Sequence, residues 1–179
     1  KPISTNNALQ TAPRVKRNSV GEVFVNWKDL RDDPIDGDQY FQKINTDGDQ
    51  QWGDGIRLDP VEDVDFSARF SASSQGGVSV IWERGTFPDV DILFQNINSD
   101  GSYSLTEPIH ISDNTGYQFS PILSGNNQSG LYAIYADQGS GSIDLMVQKL
   151  SADFSTVWSE TGLIAMDGLD GDVNYSHTY

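Results

Sequence analysis

The chain has 179 residues, 36% of them hydrophobic, no cysteine and a formal net charge of −15. This length suffices for one domain with a sizeable core, and the lack of cysteine excludes disulfides and thiolate metal sites. The acidic balance argues against a nucleic-acid partner, and no apolar run is long enough for membrane insertion. The basic residues Arg14, Lys16 and Arg17 near the start are interpreted as a solvated strand edge.

The first part of the chain predicts four short strands. They are PRVK at Pro13–Lys16, GEVFVNW ending at Trp27, the stretch from Asp38 to Ile44, and IRL at Ile56–Leu58. One face of the second strand is apolar with a period of two, at Val23, Val25 and Trp27, which is typical of strands and not of helices. An Asp-Gly turn separates the third strand from the fourth. Nothing along the chain sustains a helical period.

The same four segments recur twice more. The third segment reads DQYFQKINTDGDQQW from Asp38, DILFQNINSDGSYSL from Asp91 and DLMVQKLSADFSTVW from Asp144, so successive copies are 53 residues apart. A period near fifty residues made of strand-like sequence indicates a propeller or another repeat array.

The repeat predicts an all-β fold, a partial β-propeller of four-stranded antiparallel blades. The blades are expected at 13–58, 68–111 and 121–165, after an outer strand of a preceding blade and its link at 1–12 and before an inner strand of a following blade at 173–179. Propellers close with about four to eight blades, so three leave open ends. We therefore expect either the rest of a larger polypeptide or a second copy of this chain to close the ring.

The pattern W-x-D, then D-I-x-x-Q-x-I-x-x-D-G-x-x-x-W, resembles the tandem β-propeller repeats of large secreted or surface-displayed bacterial proteins. It is especially similar to those of the Bacteroidota, many of which carry a type IX secretion sorting domain. The residues that match are Trp27, Asp29, Asp38, Gln42, Ile44, Asp47, Gly48 and Trp52. The resemblance implies a secreted or cell-surface location, and it implies a fold rather than a reaction.

Internal repetition separates structural residues from functional ones. A residue present in every blade serves something that each blade needs, whereas a catalytic residue is normally needed once. The positions predicted to be structural on this ground are Asp38, Asp91, Asp144, Gln42, Gln95, Gln148, Trp27, Trp82, Tyr135, Trp52 and Trp158. A buried amide without partners costs about 1–3 kcal/mol, so each glutamine is expected to find hydrogen bonds on a neighbouring strand or blade.

The candidate binding residues are the non-repeated Arg31, Asp32, Asp33 and Asp36, which share one loop. In propeller topology this loop and the repeat-to-repeat links lie on the same face. Carboxylates in such loops suit Ca²⁺, although no stretch has the spacing of a calcium loop, and a solvated loop is the favoured alternative. No metal or other cofactor is therefore assigned.

Signatures of catalysis are weak. His110 and His177 have no serine or cysteine motif near them, and 26 acidic residues make any pair of carboxylates uninformative. The leading expectation is a non-catalytic module of an extracellular bacterial protein, acting in binding, adhesion or surface display with a protein or glycan ligand. The alternative is part of a propeller-type polysaccharide-active enzyme, a glycosidase or lyase, whose catalytic residues lie partly in missing blades. A purely structural spacer is a third possibility.

Overall fold

A computed structural model describes residues 1–59, 65–112, 114–126, 130–139, 141–159 and 162–166. This part of the chain forms strands and no helix, and hence no helix that could cross a membrane. The strands are β1 (Gln10–Arg17), β2 (Val23–Asp29), β3 (Asp38–Ile44), β4 (Ile56–Arg57), β5 (Asp65–Ala72), β6 (Val78–Thr86), β7 (Asp89–Ile97), β8 (Ile109–Ser112), β9 (Gln118–Asn126), β10 (Gly130–Asp137), β11 (Asp144–Leu150) and β12 (Leu163–Met166).

The strands form three separate four-stranded antiparallel sheets, each made of consecutive strands. These are the first blade (β1–β4), the second blade (β5–β8) and the third blade (β9–β12). The inner strands β1, β5 and β9 lie next to one another in turn, as the first strands of propeller blades do. The prediction of a partial β-propeller is therefore confirmed.

Two apolar cores hold the blades together. Since side chains alternate between the two faces of a strand, each blade presents one apolar face to the blade before it and one to the blade after it. Between the first and second blades, Phe41 meets Phe70 edge to face at 5.4 Å, with Leu58 and Trp82 also buried. Between the second and third blades, the core is built of Ile81, Ile92, Phe94, Ile111, Leu123, Leu131, Ala133 and Tyr135.

The start of the chain departs from the sequence-based expectation. Residues 1–9 form no strand, whereas the repeat predicts the outer strand of a preceding blade there. An outer strand needs the third strand of its own blade to pair with, and the described residues contain no such partner for it. Instead, Thr5 donates its backbone N–H to Asp54 at 2.6 Å, and Pro2 and Ile3 line a cavity together with Trp27 of the first blade. The inner strand expected at 173–179 lies outside the described residues.

The repeated glutamines make the same hydrogen bonds in all three blades. The amide N–H of Gln42 donates to the carbonyl of Gly53 at 2.8 Å, and its oxygen accepts the N–H of Trp52 at 2.9 Å. Gln148 repeats both bonds with Ser159 and Trp158, and Gln95 makes both of its bonds with Leu105. The partners therefore lie within the same blade, where they fix the turn that leads to the outer strand.

The repeated aspartates and aromatic residues also lie in the framework. Asp38 pairs with Arg57 at 2.8 Å, and Asp91 lies 3.4 Å from His110, so these carboxylates face the outer strand. The third copy, Asp144, accepts a long hydrogen bond from Ser142. The repeated aromatic residues Trp27, Trp82, Tyr135 and Trp52 are buried, and Trp158 packs on Tyr132.

Candidate functional site

The loop predicted to bind a ligand is held by its own side chains. Arg31 donates to Asp29 at 2.6 Å, and its guanidinium lies 4.2 Å from the ring centroid of Tyr40. Asp32 accepts the hydroxyl of Tyr40, which raises the pKa of that phenol together with burial. This arrangement gives both residues a role in fixing the loop.

The other two loop acids do not join them around a common point. Asp33 accepts the backbone N–H groups of Ile35 and Asp36 at 2.9 and 3.2 Å, which lowers the pKa of its carboxyl. Asp36 itself is exposed. Within the described residues, no group of three histidine or acidic side chains is placed to hold a metal ion.

Each of the first two blades contains a buried carboxylate that accepts the indole N–H of a tryptophan. In the first blade, Asp29 accepts the indole N–H of Trp27 at 2.8 Å and is paired with Arg31. In the second blade, Asp65 accepts the indole N–H of Trp82 at 2.9 Å and the guanidinium of Arg84 at the same distance.

The buried acid lies on the second strand of the first blade, as Asp29 of β2, but on the first strand of the second blade, as Asp65 of β5. Asp29 pairs in register with Gln10, whereas Arg84 stands at the position of Asp29 and pairs with Asp65. The third blade carries Asp137 at this position, bonded by Asn114 at 2.8 Å. A carboxylate in every blade is part of the architecture by the repetition argument, so these acids are poor candidates for catalysis.

The acid of the second blade should leave a signature in the pH dependence of stability. Burial raises the pKa of Asp65 to about 6 from 3.8, with the charge of Asp59 adding to the effect and Arg84 opposing it. The folded state therefore holds this proton more tightly than the unfolded state does. The contribution of Asp65 to the free energy of unfolding is fully present below pH 3.8 and is lost as the pH rises through about 6.

We expect the loss to reach up to about 3 kcal/mol between acidic and neutral pH. Denaturant unfolding of the wild type and of Asp65→Asn over this range measures it. The wild type should lose more stability than the variant as the pH rises. Equal pH slopes for the two proteins would contradict the raised pKa.

Glu83 is a buried acid with no acidic counterpart in the other blades. Glu83 lies in β6 at the position of Lys28 in the first blade and Ala136 in the third. Its side chain is on the face turned towards the third blade, where its carboxylate accepts the backbone N–H of Ser120 at 2.8 Å. The hydroxyl of Ser67 also donates to it. Glu83 thus joins the inner strands of two blades through a single-copy carboxyl group.

The surroundings of Glu83 favour its neutral form. Burial raises the pKa of this carboxyl, and the hydrogen bonds from Ser120 and Ser67 and the charge of Arg69 only partly offset the effect. Carboxyl groups with raised pKa values are enriched in functional sites, because a general acid must hold its proton near the working pH. The pKa of Glu83 is thus shifted in the direction that a general acid requires.

The charge of Glu83 reaches one ring of an aromatic cluster. The aromatic cluster consists of Phe87, Tyr117 and Phe119, with Tyr117 stacked on Phe119 at 4.7 Å and meeting Phe87 edge to face at 5.8 Å. Phe87 is 78% exposed. Burial and the negative charge of Glu83 raise the pKa of Tyr117, which places the phenol within electrostatic reach of that acid. An exposed ring that packs on a tyrosine within reach of a carboxyl group's charge is a suitable surface for a sugar.

The inner strands are bent at one shared position. Ala12, Ser67 and Ser120 have φ angles of 48°, 53° and 55°, and each lies where the register of its strand pair shifts. A non-glycine residue in this left-handed region is strained by about 1–2 kcal/mol. The bulge turns the backbone N–H of Ser120 out of the ladder and towards Glu83. Without glycine or asparagine at these positions, the sequence carries no signal for the bend.

The chain has no match among family models or curated proteins, but solved structures share its fold. An α-L-arabinanase of Penicillium chrysogenum is 14% identical and has a TM-score of 0.62, with 97% of this chain and 52% of that chain covered. An endo-arabinase from Bacteroides thetaiotaomicron is 14% identical at a TM-score of 0.50, with coverage of 90% and 61%. A polysaccharide lyase described as an ulvan lyase is 11% identical at 0.54, with coverage of 92% and 44%.

These comparisons define the class as a β-propeller, since at such identities the likeness shows the fold alone. The chain spans about half the length of the solved structures that it resembles. The leading expectation of a non-catalytic adhesion or display module is wrong, because these neighbours are propeller-type glycoside hydrolases and polysaccharide lyases. They favour the alternative hypothesis, the polysaccharide-active enzyme.

Proposed function

We propose that this chain is part of a propeller-type enzyme that cleaves a polysaccharide, either as a glycosidase or as a lyase. The observation that carries the proposal is Glu83, a single-copy buried acid of raised pKa whose charge reaches Tyr117, the ring that the exposed Phe87 meets edge to face. The enzymes that share the fold support it. The sugar chain would lie across the inner ends of the second and third blades.

In this proposal Glu83 is the general acid. A protonated carboxyl can donate to the glycosidic oxygen as the bond to the leaving sugar breaks, in hydrolysis as in elimination. The Ser120 N–H and the Ser67 hydroxyl orient the carboxyl and would stabilise the carboxylate that remains. Both reactions need a second group, and we place it on the half of the propeller that this chain does not supply.

The aromatic cluster would hold the sugar next to this acid. The C–H face of a pyranose or furanose ring is apolar and packs well on an aromatic ring, while its hydroxyl groups remain free for hydrogen bonds. Phe87 is well placed for this contact, because the turn between β6 and β7 exposes it to solvent and Tyr117 packs against it edge to face.

Replacing Glu83 by glutamine should reduce cleavage by on the order of 10²–10⁴-fold without unfolding the protein. Glutamine keeps an oxygen for the N–H of Ser120 but has no acidic proton to give. Initial rates of the natural-length protein on the polymer that it cleaves provide the measurement. In the wild type, the rate should decline as the pH rises through the raised pKa of Glu83, because the acid must be protonated to act.

The matched control is Glu107→Gln, the same chemical change at an exposed position. It should leave the rate and the pH profile unchanged. Full activity of Glu83→Gln with an unaltered melting temperature would contradict the assignment of the acid.

The proposed activity bears on location. A polysaccharide is too large to enter a cell intact, so an enzyme that shortens it acts outside the cell. We therefore infer an extracellular or cell-surface location. The relation to bacterial surface-protein repeats stays a prediction, because none of the similar structures bears on it.

A further inference from the structure

Two arginines from neighbouring inner strands meet at one backbone oxygen. Arg14 of β1 and Arg69 of β5 occupy the same position of their repeats. The Nη1 atom of Arg14 donates to the carbonyl of Ala68 at 3.2 Å, and the Nη1 atom of Arg69 donates to the same oxygen at 3.3 Å. The two groups, here called the guanidinium pair, are thus fixed side by side.

No salt bridge neutralises this pair among the residues that the structure describes. The chain has 26 acidic residues against 11 basic ones, and Arg31, Arg57 and Arg84 all bind carboxylates. Glu83 acts on Arg69 only as a neighbouring charge. For Arg14, burial and the charge of Arg69 both lower the pKa, and no carboxylate opposes them. Because the two neighbouring cations repel each other, binding of an anion between them would be favourable.

The surroundings extend the positive charge along the inner strand. Lys16 follows on the same face of β1 and is exposed, which adds to the positive potential at the inner edge of the first blade. In the third blade the equivalent position is Ile122, which is 56% exposed. The positive surface therefore belongs to the first two blades, next to Glu83, and is not a feature of every blade.

We propose that the guanidinium pair is a subsite for the carboxylate or sulfate group of an acidic polysaccharide. The inference rests on the proposed function and names its substrate class. Guanidinium groups present paired N–H donors that match the oxygens of carboxylate and sulfate, and two of them together can hold one oxoanion from two sides. The anionic group would replace the carbonyl of Ala68 as acceptor. One solved structure with this fold, an ulvan lyase, is described as bound to -[GlcA(1-4)Rha3S]-, which is an anionic ligand.

Calorimetric titration of the natural-length protein tests this subsite. The probes are a uronate oligosaccharide, a sulfated oligosaccharide without uronate, and the carboxyl-reduced form of the first. We expect the anionic probes to bind and the reduced probe to bind at least about tenfold more weakly, with affinity falling as salt rises. The stronger of the two anionic probes identifies whether the group is carboxylate or sulfate.

Variants assign the effect to the pair. Arg14→Gln and Arg69→Gln should each weaken the anionic probe by about tenfold to a hundredfold and leave the reduced probe unchanged. Arg17→Gln, on the same strand but on its opposite face, is the matched control and should have little effect. If Arg69→Gln does not fold, Arg69→Lys keeps the charge but loses the paired donors, and weaker anion binding by it supports the same conclusion.

The outcomes separate this inference from the proposed function. Cleavage of an uncharged polysaccharide, with no preference for anionic probes, would overturn the subsite and leave the enzyme. Binding of the anionic probe that depends on Arg14 and Arg69, without cleavage of any polymer, would support the subsite and overturn the enzyme. Anion binding that is unaffected by both variants would overturn the subsite.

Discussion

Replacing Arg84 by methionine should lower the free energy of unfolding by about 3–5 kcal/mol, because it leaves two buried carboxylates without their cation. Arg84 binds Asp59 at 2.5 Å and Asp65 at 2.9 Å. The side chain of Asp59 is fully buried and that of Asp65 nearly so. Methionine fills a similar volume but supplies neither donor, so both buried carboxyl groups lose their ion pair.

Denaturant unfolding at neutral pH measures this loss. The control is Lys1→Ala, which removes an ion pair with Asp49 whose partners are both exposed. Surface pairs of this kind contribute about 0–1 kcal/mol. The loss in Arg84→Met should shrink at acidic pH, where Asp65, whose pKa burial raises to about 6, is protonated and no longer needs a cation. A loss as small as that of the control would show that Arg84 does not neutralise the pair.

Truncating Ile81 to alanine should cost about 2–5 kcal/mol, whereas the same change at Ile134 should cost on the order of 1 kcal/mol. The two isoleucines occupy the same position in consecutive blades. Ile81 is fully buried between the second and third blades, whereas Ile134 is only partly buried on the outer face of the third. The difference measures what a neighbouring blade contributes at one repeat position.

The same pair of variants tests how the propeller closes. The face around Ile134 also carries Ile122 and Met166, which are largely exposed. In the natural-length protein, a further blade covering this face would raise the cost of Ile134→Ala towards that of Ile81→Ala. A second copy of the chain would do so in a concentration-dependent way. An unchanged small cost would contradict both forms of closure.

Much of the fold could be predicted because the same strand pattern recurs in every repeat. The 53-residue spacing, the alternation around Trp27 and Trp82, and the Asp-Gly turns each indicate the same four strands. Agreement between local pattern and repeat is strong evidence, since each copy is an independent sample of one structure. Residues 1–9 do not form the expected strand, because strand formation needs a partner strand for hydrogen bonding as well as a suitable sequence.

The candidate site could not be predicted in the same way. Glu83 is one acid in a strand, and only the arrangement of blades brings it to Ser120 and Tyr117. The bulge at Ser120 has no residue signature. The loop acids attracted attention because they are close in sequence, yet Asp33 bonds its own backbone and Asp32 bonds Tyr40.

Comparison of the repeats at strand positions does point to residues of the candidate site. Applied to strands as well as loops, it singles out Glu83 as an acid where the other blades have Lys28 and Ala136. It also shows Arg14 and Arg69 as two copies of one position, although the sequence alone interprets Arg14 as part of a solvated edge. A residue that recurs in every blade has a structural role. A strand residue that differs in one blade is a candidate for a function of that blade.

The proposal of a polysaccharide-cleaving enzyme is tested most directly by incubating the natural-length protein with a panel of neutral and acidic polysaccharides. Chain length, new reducing ends and the ultraviolet absorbance of unsaturated uronates are followed over time. The account predicts that at least one polymer, an acidic one, is shortened, and that Glu83→Gln stops the reaction. Saturable binding of a polysaccharide without shortening of any polymer in the panel would contradict it.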